Sequence, residues 1–258
     1  MPPATTRSTP DADPQRLSRP AKVAEAIKSW VVEANMKPGD RLPNELELIE
    51  RFGMAKGTIR EAMRILEAQG LVKTRTGPGG GSFVHEVSEA RARALLGNYF
   101  YFKDLTVSDI YQLRMVLEPE MAAGLAGKLS ADQLAALEAN VARYVTPPKD
   151  AEEERAQHIA SLDFHKLLAS YAGNELLGFV IGFMAQMLSD LTVMRRLYEP
   201  RNYELWKMGT DHQIELISAL RVGDAPRARA IMREHMEAAQ AFMVRQEAEM
   251  ERRFLEGR

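Results

Sequence analysis

Lys56, Arg60 and Arg64 recur at i, i+4 and i+8 in "KGTIREAMR", so on an α-helix the three cations share one side. Ile59, Met63 and Leu66 fall on another side, and a helix built this way packs through one face and presents positive charge from the other. That division suits recognition of a polyanion. Further on, "RTGPGGGSFV" at 75–84 gathers four glycines and a proline. A phosphate-cradling loop needs G-x-x-x-x-G-K-[ST] followed at once by a helix, and the lysine is missing. A dinucleotide fingerprint needs G-x-G-x-x-G between strand and helix, but Ser82 replaces the last glycine and a β-prone run follows. A second chemistry lies in the histidines. His212 stands eleven residues before Gly223 and His235 eleven after Asp224, so a helical hairpin at "VGDAP" sets both imidazoles at one height, where they can share a metal.

The elements that must position these groups are legible from periodicity. Val23, Ala26, Ile27, Trp30 and Val31 predict an amphipathic helix from Pro20 to Glu33. "KPGDRLP" breaks it, and Asn44 with Glu47 forms a capping-box pair that opens a short helix over about 45–51, ended by Gly53. A third helix covers about 56–68 and stops at Gly70, after which "LVKTR" and "SFV" read as the two strands of a hairpin with a glycine tip. Helix, short helix, cationic helix and hairpin together are the layout of a winged helix-turn-helix. Its third helix enters the major groove of DNA and its wing lies along the backbone. The competing reading is a surface hairpin on an ordinary helical domain. From about Val87 the pattern is helical throughout, with segments near 88–102, 108–127, 131–144, 151–171, 174–196, 202–221 and 225–250.

Composition narrows the function classes. The 258 residues carry 45% hydrophobic side chains, enough for real cores, and the length suits two domains. Residues 1–85 hold 13 basic against 10 acidic side chains, while the remainder holds 21 against 26, so a mildly basic front end precedes an acidic body. Cysteine is absent, which removes disulfides and thiolate chemistry and fits a reducing compartment. The proline-rich start, "MPPATTRSTPDADPQR", reads as a disordered tail and carries no export signal. The most apolar run, "FVIGFMAQML" at 179–188, is interrupted by Gln186 and falls short of the roughly 20 residues of a membrane span. A cytoplasmic protein with no membrane partner is expected.

The segment "GDRLPNELELIERFGMAKGTIREAMRILEAQGLVKTRTGPGGGSFV" resembles the DNA-binding domain of the GntR family of bacterial transcription regulators. The helical remainder resembles the FCD ligand-binding domain of the FadR-type branch, and together the likeness runs over about residues 18–250. It implies a mainly α protein: a winged helix-turn-helix over residues 18–85, then an antiparallel bundle of six or seven helices over 86–258 for effector binding and dimerisation, after a tail at 1–17. By position it assigns DNA contact to Arg41, Lys56, Thr58, Arg60 and the wing-tip Gly77, with Arg64 added from its place on the cationic face and a solvated salt bridge as its competing role. Three departures stand out: Leu46 replaces an arginine of the second helix, Ala55 replaces the Ser/Thr before the third, and Gly57 replaces a threonine.

For the body, the resemblance adds His165 to His212 and His235 as ligands of a divalent metal, zinc or nickel, with open positions for water or an effector carboxylate. Ser161 stands where the family usually places an aspartate ligand, and Asp163 lies on a different side of the helix. Arg114 matches an arginine that reaches into the effector cavity, where its guanidinium can clasp a carboxylate. Its competing role is a surface salt bridge with Glu118 at i+4. Asn174 matches the family's "GN" helix start and is counted with Arg114 as an effector contact, although a helix cap is the role its position suits better. The expected function is a homodimeric, non-enzymatic regulator, most simply a repressor. Its partners are double-stranded operator DNA and a small carboxylate effector. The alternative is a three-histidine metal hydrolase, for which no nucleophile motif or HExxH appears.

Overall fold

The computed structural model describes residues 17–103, 105–197 and 203–255, so the expected tail lies outside the described residues except for Leu17. The chain forms two compact units that divide between Ala92 and Arg93. Each is built by a different packing logic.

The first unit opens with α1 (Arg19–Glu33), whose Ser18 hydroxyl accepts from Ala21 N and whose first turn contains Pro20. In α2 (Glu45–Phe52) the capping box forms as the spacing requires, Asn44 Oδ1 accepting from Glu47 N and Glu47 Oε2 from Asn44 N. Gly53 ends that helix in the left-handed region at φ 62°, which carries the chain directly into α3 (Lys56–Gln69). Ala55 gives α3 no side-chain cap. Val23, Ala24 and Ile27 of α1, Leu48 of α2, and Ile59, Ala62 and Leu66 of α3 meet with Leu42 and Val72 in one small core. Met63, expected on the packing face, is half-buried because the centre of that face falls on Ala62.

The hairpin pairs β1 (Val72–Arg75) with β2 (Gly81–Val84) antiparallel, Val72 opposite Val84 and Arg75 opposite Gly81. Arg41 bridges to Phe83 on the other side of β2, so "GDRLP" lends the wing a short third edge. The tip needs glycine for two reasons. Gly77 holds φ at +90°, and a Cβ on Gly80 would come 2.5 Å from the Arg75 carbonyl oxygen.

The second unit is all helical. After α4 (Glu89–Tyr101), which crosses the division, come α5 (Val107–Leu125), α6 (Ala131–Val141), α7 (Ala151–Ala169), α8 (Glu175–Met194), α9 (Tyr203–Val222) and α10 (Ala225–Leu255). Helix α10 packs against α5 and α9, α7 against α6 and α8. Val107, Leu137, Phe164, Leu168, Ile181, Leu188, Leu220 and Met232 are among its fully buried side chains. By length and composition α8 could cross a bilayer, which the 179–188 run alone could not. Ile181, Phe183, Met184, Ala185 and Leu188 are instead buried in the bundle.

Candidate functional site

In the first unit the cationic face forms as the spacing requires. Lys56 and Arg60 project from α3 with 60% and 58% of their side chains exposed, while the opposite face of the same helix is buried in the core. Both reach back to one carboxylate. Arg60 Nε donates to Glu45 Oε2 at 2.6 Å and Lys56 Nζ lies 3.3 Å from Glu45 Oε1. The hydrogen bond from Arg60 holds the Glu45 carboxyl below its ordinary range. Sequence reasoning missed Glu45, because fifteen residues separate it from Arg60 and only the helix-turn-helix geometry joins them. Arg64 is exposed and pairs with Glu61 at 3.2 Å, the competing role considered for it. Thr58 is partly buried in the first turn of α3. Arg41 donates through Nη2 to the Gly80 carbonyl at 2.7 Å, so its guanidinium braces the wing tip. Gly77 stands open, with nothing within 4 Å of the position of a Cβ. Leu46, where the expected arginine is missing, is 74% exposed.

In the second unit, four side chains form a buried polar line. Arg114 Nε donates to Glu118 Oε1 at 2.5 Å, His165 Nδ1 lies 2.6 Å from Glu118 Oε2, and His165 Nε2 lies 3.2 Å from His235 Nε2. The Arg114–Glu118 pair considered for the helix surface does form, but in the interior: Arg114 is 1% exposed and Glu118 0%. Burial pushes the Glu118 carboxyl up, yet Arg114 and His165 outweigh it and bring it down to about 2. An ionised Glu118 only accepts, which assigns the His165 proton to Nδ1 and leaves a lone pair on Nε2 facing His235. Burial also lowers the pKa of both His165 and His235, so both imidazoles are neutral at physiological pH.

The three expected metal ligands come close together. The His165 and His235 rings stack with centroids 5.2 Å apart, and His212 meets His235 edge-on at 5.6 Å. The Nδ1 atoms of His212 and His235 are buried without a hydrogen-bond partner. Imidazoles with unsatisfied nitrogens, beside a third ring oriented by the carboxylate of Glu118, are the donor set a borderline cation takes. Among the described residues, however, no three His, Cys, Asp or Glu side chains converge on one metal-holding point. Asp163 turns away to Lys166 and Arg143.

This polar line borders a cavity of about 110 Å³ enclosed by α5, α7, α9 and α10. Arg114, Ser161, His165 and His235 line it together with Tyr111, Gln157, Trp206 and Thr210. Besides His235 Nδ1, two buried atoms of the described lining residues lack partners: Arg114 Nη2, a donor, and Gln157 Oε1, an acceptor whose amide nitrogen donates to the Thr146 carbonyl. Gln157 gave no signal in the sequence, since a lone glutamine on a helix is ordinarily solvated. His212 does not line the cavity. Nor does Asn174, which is exposed and caps α8 by accepting from Leu177 N; the capping role is the one its geometry fits.

Comparison with known proteins agrees with both halves. Residues 20–84 match the bacterial regulatory proteins of the gntR family, and residues 109–238 match the FCD domain. The Uxu operon regulator of Haemophilus influenzae is 26% identical over 229 residues, spanning 84% of this chain and 78% of that protein. The HTH-type transcriptional repressor NanR of Edwardsiella tarda is 24% identical over 251 residues, 88% of this chain and 92% of that one. A solved structure, Streptococcus agalactiae GntR, shares the fold with a TM-score of 0.57 at 23% identity, covering 86% of this chain and 99% of the other.

Proposed function

The chain belongs to the gntR family of bacterial regulatory proteins, in the branch that carries an FCD domain, and from that premise we propose that it is a cytoplasmic, homodimeric repressor. It is a DNA-binding transcription regulator and not an enzyme, which sets aside the hydrolase alternative. In this reading, residues 18–85 bind the operator and residues 86–258 bind the effector and the second subunit. Lys56, Thr58, Arg60 and Gly77 contact DNA, with Arg41 bracing the wing. Two such heads on a two-fold axis read two half-sites of a pseudo-palindrome. The repressor sign is supported by the name of the Edwardsiella tarda relative.

The observation that carries the regulatory half is the interior cavity that holds an arginine with a donor to spare. Arg114 Nη2 accounts for recognition of a small carboxylate, and Gln157 Oε1 accepts from a second group on the same ligand. His165, His212 and His235 would hold zinc or nickel, which supplies a Lewis-acidic anchor for a carboxylate oxygen when bound. The residues of this chain do the rest: Glu118 orients His165, and Tyr111 and Trp206 supply apolar walls of the cavity. Binding there favours one arrangement of the dimer over another, so effector and operator affinities are coupled and the coupling is reciprocal. A melting-temperature screen of small carboxylates with zinc-loaded protein identifies a binder. Fluorescence anisotropy then measures operator affinity with and without it. The proposal expects a change of five-fold or more, and equal affinities in both states refute it.

A further inference from the structure

Glu45 is an acidic side chain placed among the cations that must meet a polyanion, which is costly unless it does something there. Its position is well determined. It is the first residue of α2, it sits beside the Asn44–Glu47 capping box, and its two carboxylate oxygens are divided between Arg60 and Lys56. The way Arg60 is held matters most. Its Nε is the atom that donates to Glu45, so the two terminal nitrogens remain for an end-on, two-bond contact of the kind that reads guanine O6 and N7. A free arginine on an exposed helix face has many rotamers and serves phosphates as readily as bases. One tied at Nε has far fewer.

We propose that Glu45 is the positioning residue that makes Arg60 and Lys56 of α3 read sequence rather than bind phosphate indiscriminately. The carboxylate acts in two ways. It fixes the guanidinium fork before DNA arrives, so less side-chain freedom is lost on specific binding. It also offsets positive charge, so any register in which Arg60 and Lys56 meet only phosphates leaves Glu45 facing the backbone and is disfavoured. This rests on the DNA-contact roles given above to Lys56 and Arg60, and it adds a residue that no resemblance assigned.

The test compares full-length wild type with Glu45→Gln, using a duplex selected by the wild type from a random library and a scrambled duplex of the same composition. Anisotropy is read across a salt series. The expected result is that Glu45→Gln binds the scrambled duplex more tightly, lowers the selected-to-scrambled affinity ratio about ten-fold, and steepens the salt dependence by about one phosphate contact, a slope change of roughly 0.9. A ratio within two-fold of wild type, or equal factors on both duplexes, overturns the proposal. A double-mutant comparison guards against a folding defect. In an Arg60→Lys background the held fork is gone and only the charge offset remains, so Glu45→Gln should lower the ratio by clearly less than it does in wild type, and an undiminished effect there also overturns it. If the wild type selects no sequence at all, the regulator reading fails instead.

Discussion

Replacing Glu118 by glutamine should be among the most destabilising conservative changes available to this protein. The carboxylate is fully buried and serves two donors, Arg114 Nε at 2.5 Å and His165 Nδ1 at 2.6 Å. Glutamine keeps the shape, and its single oxygen can still accept from Arg114. Its amide nitrogen then faces the His165 N–H, donor against donor, and the guanidinium at 1% exposure loses its counter-charge. Removing one partner of a buried ion pair typically costs about 3–5 kcal/mol. Urea denaturation in chelator-treated buffer measures the cost, with Trp206 reporting the helical unit in a Trp30→Phe background. The double variant Arg114→Met with Glu118→Leu removes both charges and should recover most of the loss. A Glu118→Gln cost below about 1 kcal/mol would refute the argument, as would a double variant no better than the single one.

Three further outcomes are expected. Ala55→Ser supplies the cap that α3 lacks and should stabilise the winged unit by about 1 kcal/mol, read from Trp30 fluorescence; no gain would mean the α3 start is already satisfied. Burial pushes His158 down to about 4, so the unfolded chain takes up its proton near pH 6.5 and the folded chain only near pH 4. Stability therefore falls as pH drops through that window, by up to about 3 kcal/mol from this residue. His158→Gln should flatten the decline by about one proton, as urea midpoints at pH 7 and pH 4.5 would show. Arg60→Ala should relax preference at one base pair per half-site, worth about 1–3 kcal/mol, whereas loss spread evenly over all sequences would make Arg60 a phosphate contact.

The helices of both units were legible because their ends carry local signals: Gly53 and Gly70 in the left-handed region, Asn44 with Glu47, and Asn174 each act at the place where spacing put them. The His212–His235 contact was legible for a related reason, since the short turn at Gly223 fixes the height of residues on either side. What stayed hidden depends on burial and long-range approach. The i+4 spacing of Arg114 and Glu118 is the same on a helix surface and in an interior, and only packing of α5 against α10 decides between them. Glu45 and Gln157 draw their importance from neighbours distant in sequence, which periodicity cannot express.

If the exposed face of α3 reads operator DNA, the contact must show on the operator itself. Footprinting of wild type and Arg60→Ala on the region upstream of the protein's own gene tests it most directly. Wild type should protect a two-fold symmetric site with half-sites about one helical turn apart, and Arg60→Ala should lose that protection at the same concentration. Uniform protection along the duplex, or an Arg60→Ala footprint identical to wild type, would contradict it.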